Sequence, residues 1–225
     1  MKLLRVGPVG AEKPAVLLNE DHYIDVSDLV HDYDEEFFRS NGIDRIAPIV
    51  AQRIERRTAV HELAGQRVGA PIARPHQILC IGLNYSDHAA ETGQAVPDEP
   101  ILFTKSPNTL IGPDDDVRIP RGATKPDWEV ELGIVIGRRT SYLDSVEEAR
   151  DAIAGWVLVN DVSERAFQLE RGGQWSKGKS AETFNPAGPW LVTPDEVPDV
   201  LDLDDDLRPV LHRPLPEPVH GPRAR

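Results

Sequence analysis

Residues 128–136 read Trp-Glu-Val-Glu-Leu-Gly-Ile-Val-Ile and alternate between polar and apolar side chains at their start. In a strand, side chains two positions apart point to the same face, so Glu129 and Glu131 project together while Val130 and Leu132 enter the opposite face. Two neighbouring carboxylates repel each other, and a bound divalent cation neutralises them. The same alternation is also typical of a half-buried strand with a solvated acidic face. The stretch therefore predicts a strand and leaves both interpretations open.

Other short apolar runs surround this strand. They predict further strands and are separated by Gly and Pro clusters; they cover residues 77–82, 101–104, 155–162 and 190–193. A single helix is predicted among them, over residues 145–154, with glutamates in its first turn. The runs lack the regular alternation of strand and helix that makes a doubly wound sheet. We therefore expect a mixed, β-rich α+β fold.

The two ends of the chain differ from this body in composition. Residues 1–70 predict a small N-terminal α+β domain, with one helix beginning at Ser27 and a second over residues 46–63. Residues 71–197 are the second predicted domain, which contains the candidate reactive residues described below. Residues 198–225 contain six prolines and no Ile, Phe, Tyr or Trp, so little can pack into a sheet or helix after Leu211, which predicts a disordered tail.

Composition excludes several classes of protein. Lys and Arg number 25 against 38 Asp and Glu, giving a net charge of −13. A chain this acidic repels nucleic-acid phosphates and anionic lipid surfaces, so neither nucleic acid nor membrane is an expected partner. The lone Cys80 excludes a disulfide framework and a cysteine-based zinc site. No signal peptide or membrane-spanning run is apparent, and we expect a soluble, cytoplasmic protein.

Asp161 supplies a third carboxylate at a defined position. It follows the apolar run over residues 156–160, at the point where a buried strand emerges. Together with Glu129 and Glu131 it offers the hard oxygen ligands that Mg²⁺ prefers. As an alternative, Asp161 would cap a helix that begins after it.

Two further segments carry reactive side chains. His88 and Glu91 are three residues apart, so on a helical turn the carboxylate can orient the imidazole as a base, although such a pair is also common as a plain surface contact. Lys179 lies in a glycine-containing segment after Trp175, where its ammonium would bind a substrate carboxylate or enolate, or lie in an exposed basic turn.

Taken in order, these segments resemble the fumarylacetoacetate hydrolase family. The match extends over about residues 75–195, and its motifs are residues 81–85 with His88 and Glu91, residues 103–107, residues 129–133, residues 160–165 with Gln168, and residues 178–180 with Thr183. Each motif alone is weak, but their shared order is specific. Residues 163–175 further resemble a branch of sugar-derived diketo-acid hydrolases and ureidoglycolate lyases, and within them residues 172–175 would shape a pocket wall or simply form a turn.

The resemblance implies a β-sandwich roll, usually a homodimer, with one Mg²⁺ or Mn²⁺ at its active site. It implies the following roles: metal ligands Glu129, Glu131 and Asp161; a water-activating dyad of His88 and Glu91; an enolate-stabilising Lys179; Thr183 close to the metal; and Lys105, Arg165 and Gln168 along the substrate pocket. The substrates implied are small 2-oxo or 2,4-dioxo acids.

The predicted activity is hydrolysis of a carbon–carbon bond in such acids. Alternatives from the same family are isomerisation, decarboxylation and a ureidoglycolate lyase-like reaction. The chain departs from the family after residues 194–196, where members continue with more strands, so a frameshift near Pro198 and an inactive metal-binding fragment are further hypotheses. Sequencing the gene through this region tests the first of them.

Overall fold

The structure is a computed structural model that describes residues 1–82 and 99–197. The N-terminal part contains five strands and two helices: Lys2–Val6 (β1), Lys13–Leu17 (β2), His22–Asp25 (β3), Glu35–Arg39 (α1), Gly42–Arg56 (α2), Val60–Glu62 (β4) and Val68–Gly69 (β5). The remaining strands are Ile78–Gly82 (β6), Ile101–Lys105 (β7), Leu110–Ile111 (β8), Pro126–Asp127 (β9), Val130–Ile136 (β10), Ile153–Asn160 (β11), Ser163–Glu164 (β12), Asn185–Pro186 (β13) and Leu191–Val192 (β14). Three short helices lie among them: Val146–Arg150 (α3), Arg165–Leu169 (α4) and Trp175–Lys179 (α5).

An eight-stranded sheet forms the centre of the described fold. Its strand order is β10-β11-β14-β1-β2-β3-β4, and β5 also pairs with β1. β10 and β11 pair antiparallel from Val130 opposite Asn160 to Ile136 opposite Ile153. Three two-stranded sheets, β6-β7, β8-β13 and β9-β12, complete the strand pairing of the described residues. This sheet-rich architecture with few helices confirms the predicted β-rich α+β fold.

The core lies against this large sheet. Apolar side chains from its central strands are fully buried, among them Leu3, Ile24 and Leu191. Helix α2 packs its buried Ile46 and Val50 into the same cluster. Burial of such side chains stabilises each by about 1.5–3 kcal/mol, so the sheet and α2 form one packed unit.

The predicted helix at Ser27 is wrong. Residues 27–29 form only a turn, because the Asp25 carboxylate accepts a hydrogen bond from the Ser27 amide at 2.8 Å and holds the chain in a local loop. The helix begins instead after Asp34, whose carboxylate caps α1 by accepting from the Phe37 amide at 2.9 Å.

The boundaries of the other predicted helices also need correction. The helix predicted over residues 46–63 is α2, which begins at Gly42 and ends at Arg56, and the last predicted residues form β4 against β3. The helix predicted over residues 145–154 has the expected cap, with Ser145 accepting from the Glu148 amide at 3.1 Å, but it ends at Arg150. β11 begins at Ile153 after a short turn, and Ala154 is buried in the central sheet.

All five predicted strand regions contain strands, with ends that differ by a few residues. Strands from both sides of the predicted boundary at residue 70 share the eight-stranded sheet. The division into residues 1–70, 71–197 and 198–225 stays a prediction. Among the described residues, no helix has the length and apolar character needed to span a membrane.

Candidate active site

The site lies where β10 begins and β11 ends. The last pair of the ladder joins Val130 to Asn160, and the Asp161 amide then donates to the Glu129 carbonyl at 2.8 Å. The side chain of Asn160 accepts from the Glu129 amide at 3.3 Å. These backbone contacts bring the predicted ligands Glu129 and Asp161 together, although they are far apart in sequence.

Lys179 joins the two carboxylates. Its ammonium donates to Glu129 Oε2 at 2.9 Å, to Asp161 Oδ2 at 2.7 Å and to Ser163 Oγ at 2.7 Å. The residue is only 2% exposed, so it does not lie in an exposed basic turn. The buried ammonium therefore uses all its donors on this cluster.

A second buried lysine binds the same aspartate. The Lys105 ammonium contacts Asp161 Oδ1 and donates to the Val162 carbonyl at 3.1 Å. Burial lowers the pKa of Lys105, and its pairing with Asp161 acts in the opposite direction. No helix follows Asp161 directly, since β12 comes next, so the helix-cap alternative for this residue is wrong.

Arg165 holds the other side of Glu129. Its guanidinium contacts Glu129 Oε1, donates to Asp127 Oδ2 at 2.8 Å and donates to Gln168 Oε1 at 2.9 Å. Gln168 is buried on α4, one helical turn after Arg165. Both oxygens of Glu129 thus face cationic side chains, and the alternative of a solvated acidic face does not apply to this residue.

Helix α5 positions Lys179 because two sequence features allow it. Gln174 caps the helix by accepting from the Lys177 amide at 3.1 Å, after Gly172 and Gly173 turn the chain with positive φ angles. A Cβ on Gly178 would lie 2.6 Å from the backbone nitrogen of Gln168 and from the Glu164 carbonyl oxygen. Only glycine at position 178 lets α5 approach α4 this closely. Residues 172–175 connect α4 to α5, with Gln174 as the cap and Trp175 as the first residue of α5.

Glu131 and Thr183 occupy other positions near these elements. Glu131 is half-buried on β10, opposite Val159. Thr183 is buried, and its hydroxyl accepts from the Arg118 amide at 2.7 Å. The predicted dyad of His88 and Glu91 lies outside the described residues, and its role stays a prediction.

Cys80 borders the charged cluster. Burial raises the pKa of the Cys80 thiol to about 11, and Asp161 adds to the increase while Lys105 and Lys179 oppose it. The thiol is therefore protonated at neutral pH and is a poor nucleophile there.

The donor chemistry of the site fits a hard divalent cation. Carboxylate oxygens are the ligands that Mg²⁺ and Mn²⁺ prefer, and one oxygen from each of Glu129 and Asp161 already converges on a single positive charge. Within residues 1–82 and 99–197, no three His, Cys, Asp or Glu side chains are arranged to hold a metal ion. Among the described residues, the cation that contacts both carboxylates is the Lys179 ammonium.

Sequence reasoning missed Glu164. This carboxylate is fully buried and accepts from the Lys125 amide at 3.0 Å with both oxygens and from the Ala166 amide at 3.2 Å. It thereby caps α4 and fastens the segment that carries Asp127, the partner of Arg165. The signal was present, since a glutamate directly before a helix can cap it, but its burial is not visible in the sequence.

Comparison with known proteins identifies the family. Residues 77–208 match the family described as fumarylacetoacetate (FAA) hydrolase C-terminal. A Burkholderia ambifaria protein named "Putative hydrolase" is 47% identical over 204 residues, which are 91% of this chain and 70% of the relative. The chain belongs to the fumarylacetoacetate hydrolase family. This confirms the resemblance inferred from the ordered motifs.

Solved structures of the family share the fold. The fumarylacetoacetate hydrolase of Exiguobacterium antarcticum is 31% identical with a TM-score of 0.65, covering 87% of this chain and 67% of its own. A "probable 2-hydroxyhepta-2,4-diene-1,7-dioate isomerase" from Mycobacterium abscessus is 30% identical with a TM-score of 0.68, covering 86% of this chain and 64% of its own. The predicted family fold is thus confirmed, and this family of enzymes generally uses divalent metal ions.

Proposed function

We propose that this protein is a divalent-metal-dependent hydrolase that cleaves a carbon–carbon bond in 2,4-dioxo acids, with Mg²⁺ or Mn²⁺ as its metal. The observation that carries the proposal is the convergence of the Glu129 and Asp161 carboxylates on one buried positive charge. The name of the Burkholderia relative supports hydrolysis as the reaction type.

The carboxylates of Glu129 and Asp161 would hold the metal ion, with Glu131 on β10 as a third ligand. When bound, a divalent ion supplies a Lewis acid that polarises the keto oxygen of a 2-oxo acid. Glu129 is fixed for this role by its backbone bonds to Asn160 and Asp161 and by Arg165, and Asp161 is fixed by Lys105.

The cationic side chains would bind the anionic parts of the substrate. Lys105, Lys179 and Arg165 lie within one cluster, where they offset the negative charges of Glu129, Asp161 and Asp127 inside a chain of net charge −13. Lys179 would stabilise the enolate that leaves when the bond breaks, because a buried ammonium acts with little screening by water. Gln168 would fix the orientation of Arg165, with Thr183 close to the metal.

His88 and Glu91 would supply the proton transfer. In this proposal His88 takes a proton from the attacking water and Glu91 fixes the tautomer of the imidazole. The proposal includes a homodimer as the working unit, as the family resemblance implies.

The test uses a panel of acylpyruvates with the full chain. We expect loss of the enol absorbance that depends on added Mg²⁺ or Mn²⁺ and falls at least about 100-fold in His88→Ala. The matched control is His76→Ala, because His76 is an exposed surface residue that pairs with the exposed Glu35. Turnover that persists without metal in the presence of a chelator, or equally in both variants, would contradict the proposal.

Isomerisation is the second candidate, favoured by the name of the Mycobacterium abscessus neighbour. The two reactions give different products, since hydrolysis releases two acids and isomerisation conserves the mass of the substrate. Mass spectrometry of the products with a dienoic 2-hydroxy diacid and with an acylpyruvate separates them.

A further inference from the structure

The ammonium of Lys179 lies at the point where the two carboxylates converge. We propose that Lys179 and the divalent cation compete for the same oxygens of Glu129 and Asp161, so that Lys179 moves away from them when the metal binds. This inference rests on the proposed function, because it takes these carboxylates as the metal ligands. It adds that this chain contains an internal cation that holds the site in the absence of the metal.

The hydrogen bonds of the cluster carry the argument. Glu129 Oε1 contacts Arg165 and Glu129 Oε2 contacts Lys179, while Asp161 Oδ1 contacts Lys105 and Asp161 Oδ2 contacts Lys179. Each oxygen of the two carboxylates therefore already contacts a cationic side chain. A divalent ion that binds both carboxylates must share or replace at least one of these contacts.

Lys179 is the contact that can be given up. Arg165 is fixed by two other partners, Asp127 and Gln168, and Lys105 is fixed by the Val162 carbonyl. Lys179 alone of these cations bonds both carboxylates, so it lies closest to the position that a bridging ion would take. Its flexible stem and compact charge also let it reorient more easily than a planar guanidinium.

Ser163 provides a resting partner for the displaced ammonium. Its hydroxyl accepts from Lys179 at 2.7 Å and donates to the Asp161 carbonyl at 3.0 Å. The hydroxyl is thus oriented to accept and can keep one bond to Lys179 after the carboxylate bonds break. Repulsion between the ammonium and the incoming cation drives this exchange, because the cluster is buried and weakly screened.

The first test measures Mn²⁺ binding by isothermal titration calorimetry for the full chain and for Lys179→Met and Lys179→Gln. Removing the competing charge should tighten Mn²⁺ binding about tenfold or more in both variants. The control is Lys177→Met, which removes the same charge from an exposed position on the same helix, where Lys177 contacts the Arg171 carbonyl. We expect its affinity to stay within about twofold of the parent chain.

The outcomes separate the two proposals. Equal or weaker Mn²⁺ binding by folded Lys179 variants overturns the competition and leaves the metal-dependent function standing. Binding that tightens as much in Lys177→Met overturns it as well, since net charge would then explain the effect. No Mn²⁺ binding by any of the proteins overturns both proposals.

The second test needs no variant. A crystal structure of the unaltered chain grown with Mn²⁺ should show an anomalous peak between Glu129 and Asp161, with the Lys179 ammonium beyond hydrogen-bond distance of at least one of them. A peak at this position with both lysine contacts retained would overturn the inference.

Discussion

Two clusters of paired charges differ in how their cations are held. In the first, here called the N-terminal clamp, Arg5 donates hydrogen bonds of 2.6 and 2.8 Å to the Asp32 carboxylate. Arg67 donates hydrogen bonds of 2.7 and 2.5 Å to the Asp115 carboxylate. Glu12 links the two arginines. In the second, the candidate active site, lysine ammoniums each divide a point charge among several oxygens.

The two clusters differ in how easily their cations can be replaced by another cation. A guanidinium fork matches the two oxygens of a carboxylate in one fixed orientation, so the clamp locks the start of the chain to the loop that contains Asp115. An ammonium has no such fixed geometry, and the active-site contacts can be replaced by another cation. The clamp thus relies on arginine alone, whereas the candidate active site adds two lysines to its single guanidinium, that of Arg165.

Asp161→Asn should give the largest effect on stability. It removes the charge that two almost fully buried ammoniums share, with side chains 1% and 2% exposed for Lys105 and Lys179. Leaving buried charges uncompensated typically costs about 3–5 kcal/mol. Urea unfolding monitored by tryptophan fluorescence measures this loss, and a loss below about 1 kcal/mol would show that the lysines find other compensation.

Asp115→Asn should give a smaller, pH-dependent effect. The hydrogen bond from Arg67 holds the pKa of the Asp115 carboxyl below its usual value of about 3.9, so its contribution to stability is present above about pH 4 and is lost as the pH falls through the lower native value. At pH 7 we expect a loss of about 1–3 kcal/mol. Unfolding curves at pH 7 and pH 3 should show that the variant and the parent differ less in free energy of unfolding at the lower pH. An equal difference at both pH values would exclude the ion pair as its cause.

Lys125→Ala should give the smallest effect. The Lys125–Glu170 pair lies at the surface, with side chains 55% and 56% exposed. Exposed ion pairs contribute little to stability, so the substitution should lower the free energy of unfolding by less than about 0.5 kcal/mol. This small effect should disappear at high salt, which screens the pair. The same denaturation assay checks this, and a loss as large as that of Asp115→Asn would remove the distinction between surface pairs and the clamp.

The sequence predicted the strands of the site better than the side-chain contacts made there. Period-two alternation indicated β10, and the apolar run over residues 156–160 put Asp161 at the end of a strand. The antiparallel pairing of β10 with β11, which the sequence did not predict, brings Asp161 beside Glu129. The pairing of Lys179 with both carboxylates was not predictable, because it depends on α5 packing against α4 over Gly178. A local sequence pattern shows which side chains share one face of a helix or strand. Contacts between side chains on different elements depend on how those elements pack against each other.

Local competition also explains the main error in the N-terminal part. Ser27 has the side chain of a helix cap, but Asp25 takes its amide first and produces a turn. The burial of Tyr33, whose hydroxyl donates to the Ala15 carbonyl at 2.9 Å, then draws the chain into the core before α1 begins. A cap residue predicts a helix only when no neighbouring side chain accepts a hydrogen bond from its backbone amide and holds the chain in a turn.

The pairing of β1 with β14 has a consequence for synthesis on the ribosome. Leu3 of β1 lies opposite Leu191 of β14, whereas its pairing with β2 involves residues that emerge soon afterwards. A nascent chain can therefore form the β1–β2–β3 meander early, and β5 then covers Arg5 and Val6, but the part of that edge at Lys2 and Leu3 stays open until nearly all the described residues have been translated. Such a late, long-range closure slows folding and leaves an unpaired edge to be shielded, so co-expressed chaperones should raise the yield of folded protein.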